Sequence, residues 1–283
     1  MKILTTLLTL LTLTTSTPLP TNPQTYQPET PSPPPTHFGV LLFRAFELLD
    51  IYGPLDILQL LAHNRHLTLS LLSRSLSPVT TKPAGATMNP FQSDFWPTIQ
   101  PTHTFSHPPT NLQVLIVPGG PGVRSNDLLQ EISFIKQIFP SLEYLITICT
   151  GASLAAQAGV LDGYRATTNK AAWWTITPLH PNVNWTVPAR WVDDGKVWSS
   201  SGVTAGMDLM YAFLREKYPD GEKLAQRFED ITEFVSVRNS SWDPWAEKFN
   251  ITTATRGVVT EEKKRGENQQ KIIGGGRMKQ KQG

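Results

Sequence analysis

Compact apolar runs alternate with longer stretches in which apolar residues recur every three or four positions, from about residue 37 to residue 234. His37 to Phe43, Leu67 to Leu72, Leu112 to Val117, Tyr144 to Ile148 and Val197 to Ser201 have the length and apolar density of strands buried on both faces. Gly53-Pro54 followed by Leu-Asp-Ile-Leu-Gln-Leu-Leu-Ala predicts a helix with proline in its first turn, and Leu128 to Phe139 and Lys223 to Phe234 predict two more. After Val197 to Ser201 the chain passes through Gly202-Val-Thr-Ala-Gly-Met-Asp-Leu-Met-Tyr-Ala-Phe, a further strand-to-helix passage. This alternation predicts an α/β fold built on a doubly wound, mostly parallel sheet.

The flanks lack that pattern. At the start, Lys2 precedes an apolar, Thr-diluted stretch too short to span a bilayer, followed by small polar residues, so residues 1–17 are expected to be a secretory signal peptide. Residues 18–36 form a Pro/Thr-rich linker and residues 37–250 the α/β domain, which is long enough for one substantial core. Residues 251–283 are expected to be a basic, disordered tail. From Arg256 onward the chain holds eight Lys/Arg and three Asp/Glu, against seventeen and twenty elsewhere, so the basic balance belongs to that tail. No later segment is apolar enough for a membrane span. Three glycosylation sequons, at Asn184, Asn239 and Asn250, fit an exported, extracellular protein.

Cys149 is the single cysteine, so the chain cannot form an internal disulfide. It lies where the strand-like Tyr144 to Ile148 meets the small-residue segment Thr150-Gly-Ala-Ser-Leu-Ala-Ala. A thiol there is either an inert core residue or a nucleophile held at an elbow above the sheet. In the second case the helix N-terminus favours its thiolate and should bring its pKa below the ordinary value of about 8.5. The loops after three strands should converge at the carboxyl edge of the sheet, bringing Asp50, Gly119, Gly120 and Cys149 into one crevice. Asp50 is a proton donor and acceptor for the thiol or a helix N-cap. Gly119 and Gly120, in Pro118-Gly-Gly-Pro-Gly122, offer backbone N–H groups to an oxyanion or similar reacting group, or simply make a turn.

Other conspicuous residues carry less. His63 and His66 have metal-like spacing but no third ligand, so no metal is expected. Asp208 is a first-turn helix acid. The tryptophans at 173, 174, 185, 191, 198, 242 and 245 are core or interface aromatics before they are a substrate cage.

The segments LLFRAFELLDIYGPLDIL, VLIVPGGPGVRS, LITICTGASLAAQAGVLDGYRATTN and SSSGVTAGMDL, in this order and spacing, resemble the ThiJ/PfpI (DJ-one) superfamily. They are most similar to its isonitrile hydratase branch and to related secreted fungal proteins, over about Phe38 to Ala246. The resemblance implies a flavodoxin-like three-layer α/β/α sandwich and a homodimer. It implies Cys149 as nucleophile, Asp50 as acid/base and Thr150 as the neighbour that supports water or substrate. Gly120 matches the position whose N–H faces the thiol, with the Thr150 N–H as second donor. The implied reaction is cofactor-free hydration of a small-molecule isocyanide to an N-substituted formamide.

Thr150 stands where the peptidase-like and deglycase-like branches carry histidine, and Thr168-Asn169-Lys170 stands where bacterial hydratases often read Thr-Thr-His-Trp. The tail is too polar for the helix-turn-helix module that related regulators append, so no nucleic-acid partner is expected. The alternatives to a hydratase are an amidase-like hydrolase, a noncatalytic redox-sensing or binding protein on the same scaffold, and a secreted effector whose pocket is a relic.

Overall fold

The computed structural model describes residues 33–251; the signal-peptide region, most of the linker and nearly all of the tail lie outside the described residues. β1 (His37–Leu41) is followed by α1 (Leu48–Ala62), β2 (Thr68–Ser73), β3 (Val79–Thr80), β4 (Thr98–Ile99) and β5 (His103–Thr104). β6 (Val114–Val117), α2 (Leu129–Ile138), β7 (Tyr144–Thr147) and α3 (Gly151–Gln157) come next. They are followed by β8 (Arg165–Ala166), α4 (Trp173–Ile176), β9 (Asn184–Trp185), β10 (Trp191–Asp194) and β11 (Val197–Ser200), then α5 (Ala205–Lys217), α6 (Gly221–Thr232) and α7 (Pro244–Lys248).

Seven strands form the central sheet in the order β10-β11-β7-β6-β1-β2-β5. Every neighbouring pair is parallel except the β10–β11 hairpin. The apolar runs lie at its centre because a parallel sheet covered on both faces buries the side chains on both: Val114 to Val117, Leu145 and Ile146 have no exposed surface. One helical layer packs α1 with α5 and α6, and another packs α2 with α3. This is the expected α/β sandwich. β1 has β2 on one side and β6 on the other, so the chain reverses its winding there and opens a crevice at the carboxyl ends of β1 and β6.

The predicted strands and helices are present with ends displaced by one or two residues, with one exception that matters. α1 begins at Leu48, with Glu47 at the N-cap and Pro54 inside the helix, rather than at Gly53-Pro54. Proline removes only its own N–H, whose helical partner would be the Asp50 carbonyl, and burial of Ile51, Pro54, Ile57, Leu58 and Leu61 holds the turns on either side. Asp50 therefore lies within the first turn and is not the N-cap. At the domain's edges, Tyr218 donates its hydroxyl hydrogen to the Pro35 carbonyl at 2.6 Å, and Ile251 is buried.

Candidate active site

Cys149 follows β7 with φ at +57°, a conformation uncommon for a residue with a side chain. Three neighbours hold that elbow. The Gly151 N–H donates to the Ile148 carbonyl at 2.9 Å, closing a tight turn across Cys149 and Thr150. The Thr168 hydroxyl donates to the Cys149 carbonyl at 3.0 Å. Asn169 donates its side-chain amide to the Cys149 Sγ at 3.2 Å, and its Oδ1 accepts the Ala171 N–H at 2.8 Å, which fixes the amide's direction. The elbow thus reaches across to the loop after β8.

Asp50 is fully buried. Its Oδ2 accepts the Gly119 N–H at 2.7 Å, while its Oδ1 is buried with no hydrogen-bond partner. Burial raises its pKa to about 8, against the Gly119 N–H, with a smaller push from Glu47. The carboxyl is accordingly protonated at neutral pH, with an acid proton to offer.

The two glycines play a different part from the one expected. Gly119 is bonded to Asp50, and Gly120 donates its N–H to Thr150 Oγ1 at 3.0 Å. Neither N–H is held open for an oxyanion. They instead fix the acid and the threonine on either side of the thiol. Gly119 must lack a side chain because a Cβ there would lie 2.6 Å from the Thr150 nitrogen. Thr150 is buried, and both its backbone N–H and its side chain hydrogen-bond the thiol. With Gly120 supplying a donor to its oxygen, the hydroxyl hydrogen is free to point at sulfur.

The expectation of a depressed thiol pKa is overturned. Cys149 is 5% exposed. Burial and the Asp50 charge push its pKa up to about 12, outweighing the Asn169 amide and the Thr150 N–H and hydroxyl. The seven-residue α3 cannot offset that desolvation. Iodoacetamide alkylation at pH 7 should therefore run far below the rate of a free thiol and rise through alkaline pH. Asp50→Asn, which removes a neighbouring negative charge, should speed it at pH 9. Fast alkylation at pH 7 in the native protein would refute this.

Asp208, in the first turn of α5, is structural: its Oδ2 accepts from Arg190 Nε at 2.6 Å and its Oδ1 from the Val237 N–H at 2.8 Å. His63 and His66 are exposed, and no group of three or more metal-binding side chains occurs among the described residues. No described helix is long and apolar enough to cross a membrane. Asn184, Asn239 and Asn250 are all exposed. Trp173, Trp185, Trp191 and Trp198 are core residues, whereas Trp174, Trp242 and Trp245 are partly exposed. Asn169 is the site residue that the sequence does not single out; its only signal is the departure of Thr168-Asn169-Lys170 from the bacterial phrase.

A model of the DJ-1/PfpI family matches residues 39–216, well over half of the chain. The chain is 30% identical over 232 residues to the isonitrile hydratase of Pseudomonas putida, a match covering 80% of this chain and 88% of that protein. It is 26% identical over 125 residues to the HTH-type transcriptional regulator GbdR of Pseudomonas aeruginosa, covering 44% of this chain and 33% of that protein. A ThiJ/PfpI family protein from Pseudomonas syringae superposes with a TM-score of 0.60 at 23% identity, over 83% of this chain and 90% of that one, a likeness of fold.

Proposed function

The chain belongs to the DJ-1/PfpI family, and on that basis we propose that it is a cysteine-dependent enzyme that hydrates isocyanides to N-substituted formamides. The observation that carries the reading is a buried thiol beside a buried carboxyl that keeps one oxygen unpartnered, its pKa raised by that burial. An isocyanide presents a carbon lone pair, and its carbon becomes electrophilic only as that lone pair takes a proton. A neutral acid next to a neutral thiol is suited to this. A preformed thiolate is not required.

In the first step Asp50 gives its proton to the terminal carbon as Cys149 Sγ bonds to it, and the thiol hydrogen passes to the Asp50 carboxylate. The product is an S-linked thioimidate, and Asp50 ends protonated again. Asp50 then gives its proton to the nitrogen as water adds to that carbon, and takes a proton back from the added water. As the C=O bond forms the tetrahedral adduct expels sulfur, and the adduct's hydroxyl proton passes to the departing thiolate. One water has been consumed and the N–H formamide released. Asn169 and Thr150, which donate to sulfur, stabilise the thiolate character of the leaving group in this second step. The likeness to isonitrile hydratase supports the substrate class.

The test is conversion of alkyl and aryl isocyanides in isotopically labelled water, without added metal or nucleotide. Labelled formamide should appear with wild type and not with Cys149→Ala. Consumption of an amide in place of every isocyanide would instead favour the hydrolase reading. Export, glycosylation and homodimerisation belong to the same proposal, supported by the N-terminal pattern and the exposed sequons. A groove whose lining includes the exposed apolar residues Leu49, Tyr52 and Leu69 supports the homodimer reading. The native mass of protein recovered from the medium of a eukaryotic host, before and after glycan removal, tests all three.

A further inference from the structure

Lys170 is buried, and its ammonium joins four separate segments of the chain. Within its own loop, after β8, it donates to Thr167 Oγ1 at 2.8 Å and to the Thr168 carbonyl at 3.3 Å. From outside that loop it meets the Ala189 carbonyl ahead of β10 at 2.9 Å, Ser201 Oγ after β11 at 3.1 Å and Asp243 Oδ2 ahead of α7 at 3.0 Å.

Both side chains of the Lys170–Asp243 ion pair are withdrawn from solvent. A pair so placed seldom gives more net stability than apolar side chains of the same volume, because both charges must leave water. What it gives here is direction. The Thr167 N–H donates to Ser199 Oγ at 2.9 Å, which fixes the start of the loop to β11. Asp243 Oδ2 accepts the Ala189 N–H at 3.3 Å, and the Ser240 carbonyl accepts the Arg190 N–H at 2.6 Å, which fixes the segment ahead of α7. The ammonium therefore draws an irregular loop onto an anchored frame.

Asn169 lies between two residues that the ammonium holds, Thr168 through its carbonyl and Lys170 through its own side chain. That pinned stretch supplies two of the donors that clamp the elbow. The Thr168 hydroxyl reaches the Cys149 carbonyl at 3.0 Å, and the Asn169 amide reaches Sγ at 3.2 Å. The path from Asp243 to sulfur is thus a continuous run of hydrogen bonds and adjacent residues.

We propose that Lys170 and Asp243 are positioning residues for the thiol: by fixing Thr168 and Asn169 they aim the amide donor at Sγ, so the segment ahead of α7 acts on a sulfur it does not touch. For turnover the inference rests on the hydratase reading, in which Asn169 stabilises sulfur as it leaves. For the hydrogen bonding of the thiol it does not.

The test reads the thiol by its Raman S–H stretch, which arises from Cys149 alone because the chain has no other cysteine. All measurements are made at pH 7, since burial brings the Lys170 pKa down to about 8 and the ammonium is charged below it. Asn169→Ala deletes the donor and sets the reference shift of the band. Lys170→Met combined with Asp243→Asn, which removes both charges and keeps an acceptor for the Ala189 N–H, should move the band in the same direction by at least roughly half as much. Adding Asn169→Ala to that pair should move it no further than Asn169→Ala alone, because members of one network are not additive. On an isocyanide the paired variant should lose about 10- to 100-fold in kcat, the effect of a small misplacement at the reacting centre, with KM within about twofold. Ser201→Ala removes one acceptor of the ammonium; it should give a smaller shift of the same sign, and it decides the matter if the paired variant does not fold. If wild type hydrates no isocyanide but the band follows this pattern, the positioning stands and the hydratase reading falls. No shift with Asn169→Ala, an unmoved band in the folded variants, additive shifts, or an unchanged kcat in a protein that does hydrate isocyanides would overturn the proposal.

Discussion

Asp50→Asn is expected to lower isocyanide turnover by about 10²- to 10⁴-fold, the usual worth of a positioned proton donor. Asparagine preserves the shape and the hydrogen bond from Gly119, so the loss isolates the proton. Wild-type activity should fall as pH rises through about 8, where the carboxyl ionises. The same substitution should change stability with the opposite sign. In the folded protein Asp50 keeps its proton up to about pH 8, whereas an unfolded aspartate loses it near pH 4. Between those values the native state binds the extra proton, so stability is full below the window and is lost as pH rises through it. A tenfold difference in proton affinity between the folded and unfolded chain is worth about 1.4 kcal/mol, so wild type should lose on the order of a few kcal/mol between about pH 5 and 9. Urea unfolding at a series of pH values measures this. The asparagine variant should show a flatter profile and exceed wild type above pH 8. A flat wild-type profile would mean that Asp50 is ionised in the native protein, and would recast it as a base.

Gly120→Ala is expected to cost on the order of 3–5 kcal/mol or to leave no folded protein. Gly120 has φ at +123°, where residues with a Cβ are strained. The added carbon would also lie 2.7 Å from the Ala45 oxygen and the Phe46 carbonyl carbon, and closer still to the Glu47 nitrogen. Those are backbone atoms of the link between β1 and α1, with no rotamer to adopt. That link is itself bonded to the glycine loop, through Glu47 N–H to the Gly119 carbonyl and Gly122 N–H to the Ala45 carbonyl, each at 2.8 Å. Forcing the two apart would move Asp50 from the thiol even in molecules that still fold. Thermal denaturation with activity per folded molecule is the measurement. Gly85→Ala is the control, because a Cβ there meets only Thr87 Oγ1 at 3.6 Å, and it should change stability by less than about 0.5 kcal/mol. A Gly120→Ala protein as stable as wild type would contradict the packing described for this loop.

The sheet and the elbow position of Cys149 are legible in the sequence because both depend on short-range pattern. Apolar runs of strand length, each followed by a helix signal, fix the order of elements. A lone cysteine at the Ile148-to-Gly151 passage stands out without knowledge of its neighbours. What depends on distant parts of the chain is not legible. The partners of the Gly119 and Gly120 N–H groups come from α1 and from the residue after Cys149, and no local rule says that they fill donors a turn would leave open. Pro54 suggests a helix start, but the burial that extends α1 back to Leu48 is a tertiary effect, and it moves Asp50 from a cap to a buried acid. Asn169 sits in an irregular loop with no periodicity to mark it. The thiol's pKa depends on how much protein surrounds it, which a reading based on the helix terminus leaves out.

A resting thiol this well protonated and this little exposed is a poor target for peroxide, whose attack follows thiolate character and access. Nor is there a second cysteine in the chain to capture a sulfenic acid as a disulfide. The thiol should therefore oxidise slowly, the opposite of what a redox sensor needs, and under the proposed reaction its sulfur becomes reactive mainly when a bound substrate accepts the Asp50 proton.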